Sequence, residues 1–224
     1  STNNQFIAAY SIHPNPTDTN TLIDHLSQAQ AELGSKPSNI TADAGYGSEQ
    51  NYQWLEKKKI IAYVKHNQFD REQNKRLSKK QRFRSDTFVY DKDKDQMICP
   101  SGKPMHRTGT STSQTSTGYE QQLAVYQAAD CRWCPLRKKC HQQKGNRGIE
   151  VNHNLRRLKQ KADKRLKTKK GIAKRKQRCH DTEPVFANIK HNHQFKRFKL
   201  RGKEKVMTEM GLLALAHNLR KKTA

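Results

Sequence analysis

The stretch Asn39-Ile40-Thr41-Ala42-Asp43-Ala44-Gly45-Tyr46-Gly47-Ser48 decides the fold of this chain. Asn39 to Ala42 is a short strand that runs directly into an aspartate. Gly45 and Gly47 follow it, permitting a tight turn and the close approach of a bulky ligand. Ser48 is a good helix N-cap, because its side-chain oxygen can accept from an unpaired amide of the first turn. The helix it opens is predicted to reach about Lys58, with Trp54 and Leu55 inward. Ile60-Ile61-Ala62-Tyr63-Val64 is then a strand, apolar nearly throughout, as a buried strand of a mixed sheet should be. Upstream, Phe6 to Ile12 is short, apolar and partly β-branched, and is predicted as another strand. Asn15-Pro16-Thr17-Asp18 breaks the chain, and Leu22, Ile23, Leu26, Ala29 and Leu33 follow at helical spacing until Gly34. Strand, helix, strand, helix, strand is an α/β order with parallel pairings.

The pattern changes downstream. Phe69 to Arg84 is polar and basic, a helix or an exposed connection. From Thr87 to Val125 short runs such as Phe88-Val89-Tyr90 and Gln96-Met97-Ile98 alternate with Ser, Thr, Gly and Asp, which predicts a β-ribbon or loop-rich insertion. Arg147 to Arg178 is heavily basic, with Leu155, Leu158, Ala162 and Leu166 as its sparse apolar positions on one or two helices. Glu183-Pro184-Val185-Phe186 opens a helix, because proline is tolerated where the first-turn amide has no partner. Phe195 to Gly202 is a turn or strand carrying Lys196, Arg197, Lys199 and Arg201, and Lys203 to Leu219 is a final helix. Three segments follow: 1–68 as the first part of a core, 69–146 as an insertion with a cysteine cluster, and 147–224 as a basic helical part that completes the core.

Charge limits the partners. The 224 residues carry 45 Lys and Arg against 20 Asp and Glu, a formal net charge of +25. That imbalance calls for a polyanion, since cationic side chains on a phosphate backbone release condensed counterions. A solvated basic surface or a membrane-surface binder would suit a single basic run. Here the cations are spread over several segments beside apolar strands, which favours nucleic acid. No stretch is apolar for long enough to span a bilayer.

Asp43 stands at the carboxyl end of a strand, where chemistry gathers in α/β sheets. A carboxylate there can coordinate Mg²⁺, which prefers oxygen ligands, or it can cap the next helix. Glu183 begins a helix, and Lys190 lies two helical turns along the same face, a spacing that also suits a salt bridge. Between them, Cys99-Pro100-x-Gly102, Cys131-x2-Cys134 and Cys140 resemble a structural zinc knuckle. His106 or His141 could replace one of the four thiols. A small polar insertion gains from such a metal, and the other reading is four reduced thiols in a reducing compartment. Cys179 lies apart and is read as a free thiol.

Ala42-Asp43-Ala44-Gly45-Tyr46-Gly47-Ser48-Glu49 resembles the second-aspartate motif of DDE transposases from bacterial insertion sequences. Glu183-Pro184-Val185-Phe186-Ala187-Asn188-Ile189-Lys190-His191-Asn192 resembles their glutamate segment. Phe195-Lys196-Arg197-Phe198-x-Leu200-Arg201-Gly202-x-Glu204-Lys205-Val206 and Leu215-Ala216-His217-Asn218-Leu219-Arg220 look like the stretches that follow it. These matches keep their order over most of the chain.

The resemblance implies a ribonuclease H-like mixed sheet with flanking helices, interrupted by an insertion, here the β-rich segment whose cysteines are read as zinc-binding. It implies metal-dependent cleavage and strand transfer of double-stranded DNA, with Asp43 and Glu183 as the second and third acids on Mg²⁺ or Mn²⁺. Lys190 would touch a phosphate near the scissile bond, and Arg197 and Arg201 the backbone. Element ends and target DNA would be the partners, bound by a homo-oligomer in the bacterial cytoplasm, at the nucleoid. Two departures stand out. Ser1 to Gln5 holds no acid, so the first aspartate is expected upstream, in a longer protein of which this chain is the C-terminal portion. A Tyr-x2-Arg-x3-Glu-x6-Lys signature of related transposases keeps Glu183 and Lys190 here, but Lys176 and Cys179 occupy its Tyr and Arg positions. Arg178, one residue away, is the candidate substitute. The alternative is a basic DNA-binding remnant without catalysis.

Overall fold

The computed structural model describes residues 3–15, 17–74, 81–192 and 194–223. Pro16 of the expected chain break and residues 75–80 of the expected basic connection lie outside them. The chain divides into two compact units, one of Ser1–Asn67 with Gln160–Ala224 and the other of Gln68–Lys159.

The first unit is built on a βαβ element. Strand β1 (Asn39–Ala42) pairs parallel with β2 (Ile61–Val64), with Asn39 opposite Ile61 and Ala42 opposite Val64. Helix α1 (Leu22–Leu33) precedes them, burying Leu22 and Leu26 and ending on Gly34 at φ 66°. Helix α2 (Glu49–Lys57) joins the strands, and Ser48 caps it by accepting from the Asn51 amide at 3.2 Å. Tyr52 and Leu55 form its buried face, while Trp54 is only partly covered. The Tyr52 hydroxyl donates to the Val64 carbonyl at 3.0 Å, tying helix to strand. Ala62, Tyr63 and Val64 are buried but Ile61 is 42% exposed, so β2 is covered more fully towards its carboxyl end.

The stretch Phe6 to Ile12 is not a strand: residues 6–15 carry no regular structure. It has β propensity but no strand beside it among the described residues. Instead the Asn218 side chain accepts from the Ile7 amide and donates to the Ile7 carbonyl, both at 2.8 Å. One carboxamide thus does for Ile7 what a neighbouring strand would do.

Four helices complete this unit. Ala162 and Leu166, at the end of α5 (His153–Leu166), are buried as their spacing predicts. Asp163 of α5 bonds buried His66 at 2.8 Å, and Arg165 donates to the Ala62 carbonyl at 3.2 Å. Helix α6 (Lys169–Asp181) starts after a sharp corner, where Thr168 accepts from the Gly171 amide. Gly171 is required there, since a Cβ would stand 2.2 Å from the Arg165 carbonyl oxygen. Helix α6 packs on β1 and β2. Helix α7 (Glu183–Ala187) has proline in its first turn and runs on into a π-turn over Asn188–Asn192. Helix α8 (Lys203–Thr223) closes the unit, burying Ala214 and His217.

The second unit is built on an antiparallel sheet. Helix α3 (Phe69–Gln73) comes first, and α4 (Arg137–Cys140) is a single turn inside the cysteine segment. Strands β3 (Val89–Asp91), β4 (Gln96–Ile98), β5 (Pro104–Gln114), β6 (Glu120–Ala128) and β7 (Gly148–Val151) form an antiparallel sheet in sequence order. One face buries Phe88, Met97, Met105, Ala124, Tyr126, Ala128, Ile149 and Val151. Strands β5 and β6 form a long hairpin, closed by Thr115 and Tyr119 with Gly118 at φ 75°. A parallel sheet in one unit and an antiparallel sheet in the other make the chain a mixed α/β protein.

Candidate active site

Three features hold the turn after β1 in place. Asn51, 2% exposed, donates its side-chain amide to the Tyr46 carbonyl at 3.0 Å and to the Thr19 carbonyl at 2.8 Å. Thr19 returns a hydroxyl bond to the Gly45 carbonyl at 2.8 Å. Gly47 presses on the backbone after β2, where an added Cβ would lie 2.4 Å from the Lys65 carbonyl oxygen. Backbone packing therefore requires the second glycine. Gly45 faces Asp18 at ordinary contact distance.

Asp43 precedes a 3-10 turn (Ala44–Tyr46), but its carboxylate makes no capping bond. It points instead to Arg178 of α6, with Oδ1 2.7 Å from Nη2 and Oδ2 3.0 Å from Nη1. The same Nη2 lies 3.4 Å from Oε1 of Glu183. Two carboxylates from opposite parts of the sequence therefore share one nitrogen, and their oxygens cannot be farther apart than those two contacts together. Asp43 and Glu183 are 56% and 58% exposed, open to solvent and to further ligands. The donors are hard oxygens converging on one cationic group, which suits a divalent ion of the Mg²⁺ type. Burial raises the Tyr46 phenol above its usual range, and the charges of Asp18 and Asp43 push it the same way.

The sequence did not point to Asn51, Thr19 or Asp18. One signal was present for Asn51, a poor helix former placed in the first turn after the cap. Lys190 is exposed on the π-turn beyond Glu183, and no ion pair between the two occurs among the described residues. The π-turn breaks the even helical spacing that would stack them. Arg197 and Arg201 are exposed on the loop before α8. Glu209 fixes that loop, accepting from the Lys199 amide at 3.0 Å and the Leu200 amide at 3.0 Å. Cys179 is exposed, its sulfur directed at the Arg175 carbonyl of its own helix.

In the second unit, Cys99, Cys131, Cys134 and Cys140 line one cavity together with His141 and Arg147. Among the described residues no three of these ligand atoms lie within 4.8 Å of one another. His106 is on β5, opposite Gln96 and Gln127, and does not line the cavity. Both ring nitrogens of His141 are shielded from solvent without a hydrogen-bond partner. Burial and the nearby Arg137 and Arg147 lower its pKa, favouring the neutral ring.

Residues 98–223, more than half of the chain, match the model of the transposase DDE domain family. The chain belongs to that family. The matched span includes Glu183, Arg178, Lys190 and all the cysteines, while Asp43 lies before it. No curated protein and no solved structure matches the chain. Transposition acts on DNA, and DDE domains use divalent metals, so the family agrees in class with the charge and the paired acids. No helix among the described residues is long and apolar enough to cross a membrane.

Proposed function

We propose that this chain belongs to an insertion-sequence transposase, in which Asp43 and Glu183 are two of the three acids that cut and rejoin DNA. The observation that carries the reading is the meeting of both carboxylates on Arg178. The two acids would hold Mg²⁺ or Mn²⁺, which when bound supplies Lewis-acid activation of the attacking oxygen and charge stabilisation at the leaving one.

The other steps belong to the protein's own residues. Arg178 keeps two like charges together that would otherwise repel, so the site stays assembled between turnovers. On this reading its guanidinium would also reach a DNA phosphate, filling the role that Cys179 cannot. Lys190 neutralises a phosphate near the scissile bond. Arg197 and Arg201, on the loop fastened by Glu209, fix the register of the duplex without reading its sequence. The protein works as an oligomer on the element's ends, in the bacterial cytoplasm at the nucleoid.

The replacement of the signature Tyr and Arg by Lys176 and Cys179 favours a second reading, a DNA-binding remnant without catalysis. Cleavage of labelled element-end DNA by the full-length protein in Mg²⁺ or Mn²⁺ separates the two. Cutting that vanishes in both Asp43→Ala and Glu183→Ala supports the enzyme. Tight DNA binding with no cutting in any metal supports the remnant. Arg178→Ala should bind Mn²⁺ several-fold more tightly, because a competing cation is gone, and yet cut more slowly.

A further inference from the structure

The cavity of the second unit gathers more chemistry than a reduced-thiol reading explains. Two tight turns present its cysteines. At the first, the Cys99 amide donates to the Lys103 carbonyl and the Gly102 amide to the Cys99 carbonyl, both at 2.9 Å, with Gly102 at φ 82°. At the second, Asn146 accepts from the Cys131 amide at 3.0 Å and donates to the Ala129 carbonyl at 2.6 Å. The Cys134 amide points to the Cys131 carbonyl at 3.4 Å and the Arg137 amide to the Cys134 carbonyl at 3.0 Å, so the pair is held in a compact knuckle.

Arg147 and His141 surround the thiols. Arg147 donates Nη1 to the Cys140 sulfur at 2.7 Å and to the Cys140 carbonyl at 2.8 Å, and Nη2 to the Phe83 carbonyl at 2.6 Å. A guanidinium beside a cysteine sulfur is placed to donate to that sulfur when it binds a metal. His141 brings an imidazole whose two nitrogens have no partner, an arrangement that costs stability unless something in the cavity uses it.

We propose that Cys99, Cys131, Cys134 and Cys140 bind one structural Zn²⁺, with Arg147 and His141 as hydrogen-bond donors to the thiolates. Four thiolates on Zn²⁺ carry a net charge of −2. The Arg147 cation and a His141 N–H offset that charge, as groups around a metal's ligands commonly do. Bound sulfurs would stand roughly 3.8 Å apart, from Zn–S bonds of about 2.3 Å in a tetrahedron. Among the described residues no three of the ligand atoms are that close together, so binding would draw them closer. Trp133 lies between Cys131 and Cys134 and is 92% exposed, which places a fluorescent reporter beside the ligands. The proposal does not depend on the transposase reading, and its test does not use DNA.

The full chain should purify with one equivalent of zinc by elemental analysis. Replacement by Co²⁺ should give sulfur-to-cobalt charge-transfer absorption of the intensity of four thiolates, with a change in Trp133 emission. Cys134→Ser and Cys140→Ser should each lose metal, and Cys179→Ser should keep it. His141→Ala should retain one equivalent and the four-thiolate spectrum, with affinity reduced about 10- to 100-fold. Thiol titration of the wild-type chain guards against variants that fail to fold. One thiol should react fast, and the other four only after a chelator is added. A folded, metal-free chain with five reactive thiols overturns the site. A three-thiolate spectrum that survives in Cys140→Ser overturns the ligand set.

Discussion

Each unit of this protein contains an aspartate that meets an arginine, and the surroundings of the two differ. In the second unit Asp95 closes the β3–β4 turn at φ 42°. It accepts from the Tyr126 hydroxyl at 2.6 Å, the Tyr90 hydroxyl at 2.9 Å and Arg107 at 3.0 Å. His153 packs on Tyr90 and bonds the Tyr126 hydroxyl at 2.7 Å. These donors, Tyr126 first, hold the Asp95 carboxyl down at about 2. In the first unit Asp43 and Glu183 have Arg178 in common and are more than half exposed. A carboxylate held by two hydroxyls as well as a cation is fastened into a fold. A pair of carboxylates gathered around a single cation is open to replacement by another cation, and that is how a site differs from a strut.

The comparison can be broken most decisively at the acid pair. Asp43→Asn and Glu183→Gln should each lower DNA cleavage by the full-length protein by about a thousandfold or more, near 4 kcal/mol of transition-state stabilisation. Their thermal midpoints should stay close to wild type. A stability loss as large as that at Asp95 would erase the distinction between site and strut.

Next in size is Gly47→Ala, which should destabilise the first unit by about 3 kcal/mol, because its Cβ meets backbone that cannot step aside. Chemical denaturation reads it. Tyr126→Phe in the second unit removes a buried hydroxyl with two partners and should cost about 1–2 kcal/mol.

Acid sharpens the contrast further. The Asp95 carboxyl is held below its ordinary value, so its contribution is complete above about pH 4 and is lost as pH falls towards 2. Asp95→Asn should flatten acid unfolding in that window, followed by circular dichroism. Smallest of all, Lys190→Ala, Arg197→Ala or Arg201→Ala should each reduce the slope of log affinity against log salt by about 0.9 on duplex DNA.

Much of the first unit was legible because its signals are local. Ser48 caps α2, Pro184 opens α7, and Gly34 ends α1 where the chain turns left-handed. The apolar spacing of Leu158, Ala162 and Leu166 marks buried positions, as it should on a helix. Phe6 to Ile12 was misread because a strand is defined by its neighbour, and here the backbone partner is a side chain 211 residues away. The order of the five-stranded sheet was hidden for a related reason. One long face of β5 is polar and exposed, so alternation is faint.

Arg178 teaches more. Helical periodicity gives no reason for a residue five places before Glu183 to share its site. Helix α6 ends at Asp181 and α7 begins at Glu183, so a helix boundary, not a helix, sets the spacing. The purpose of Gly47 was equally out of reach, since Lys65 comes near only once β2 lies beside β1.

The Asn218 contact also fixes a sequence of events. Gln5 and Ile7 lie near the beginning of this chain and have polar backbone groups whose partners sit on α8, with His217 joining the Gln5 carbonyl at 2.8 Å. A ribosome delivers Ile7 211 residues before Asn218, so these bonds cannot form until α8 has been made. Until then water serves the backbone groups of residues 5–7.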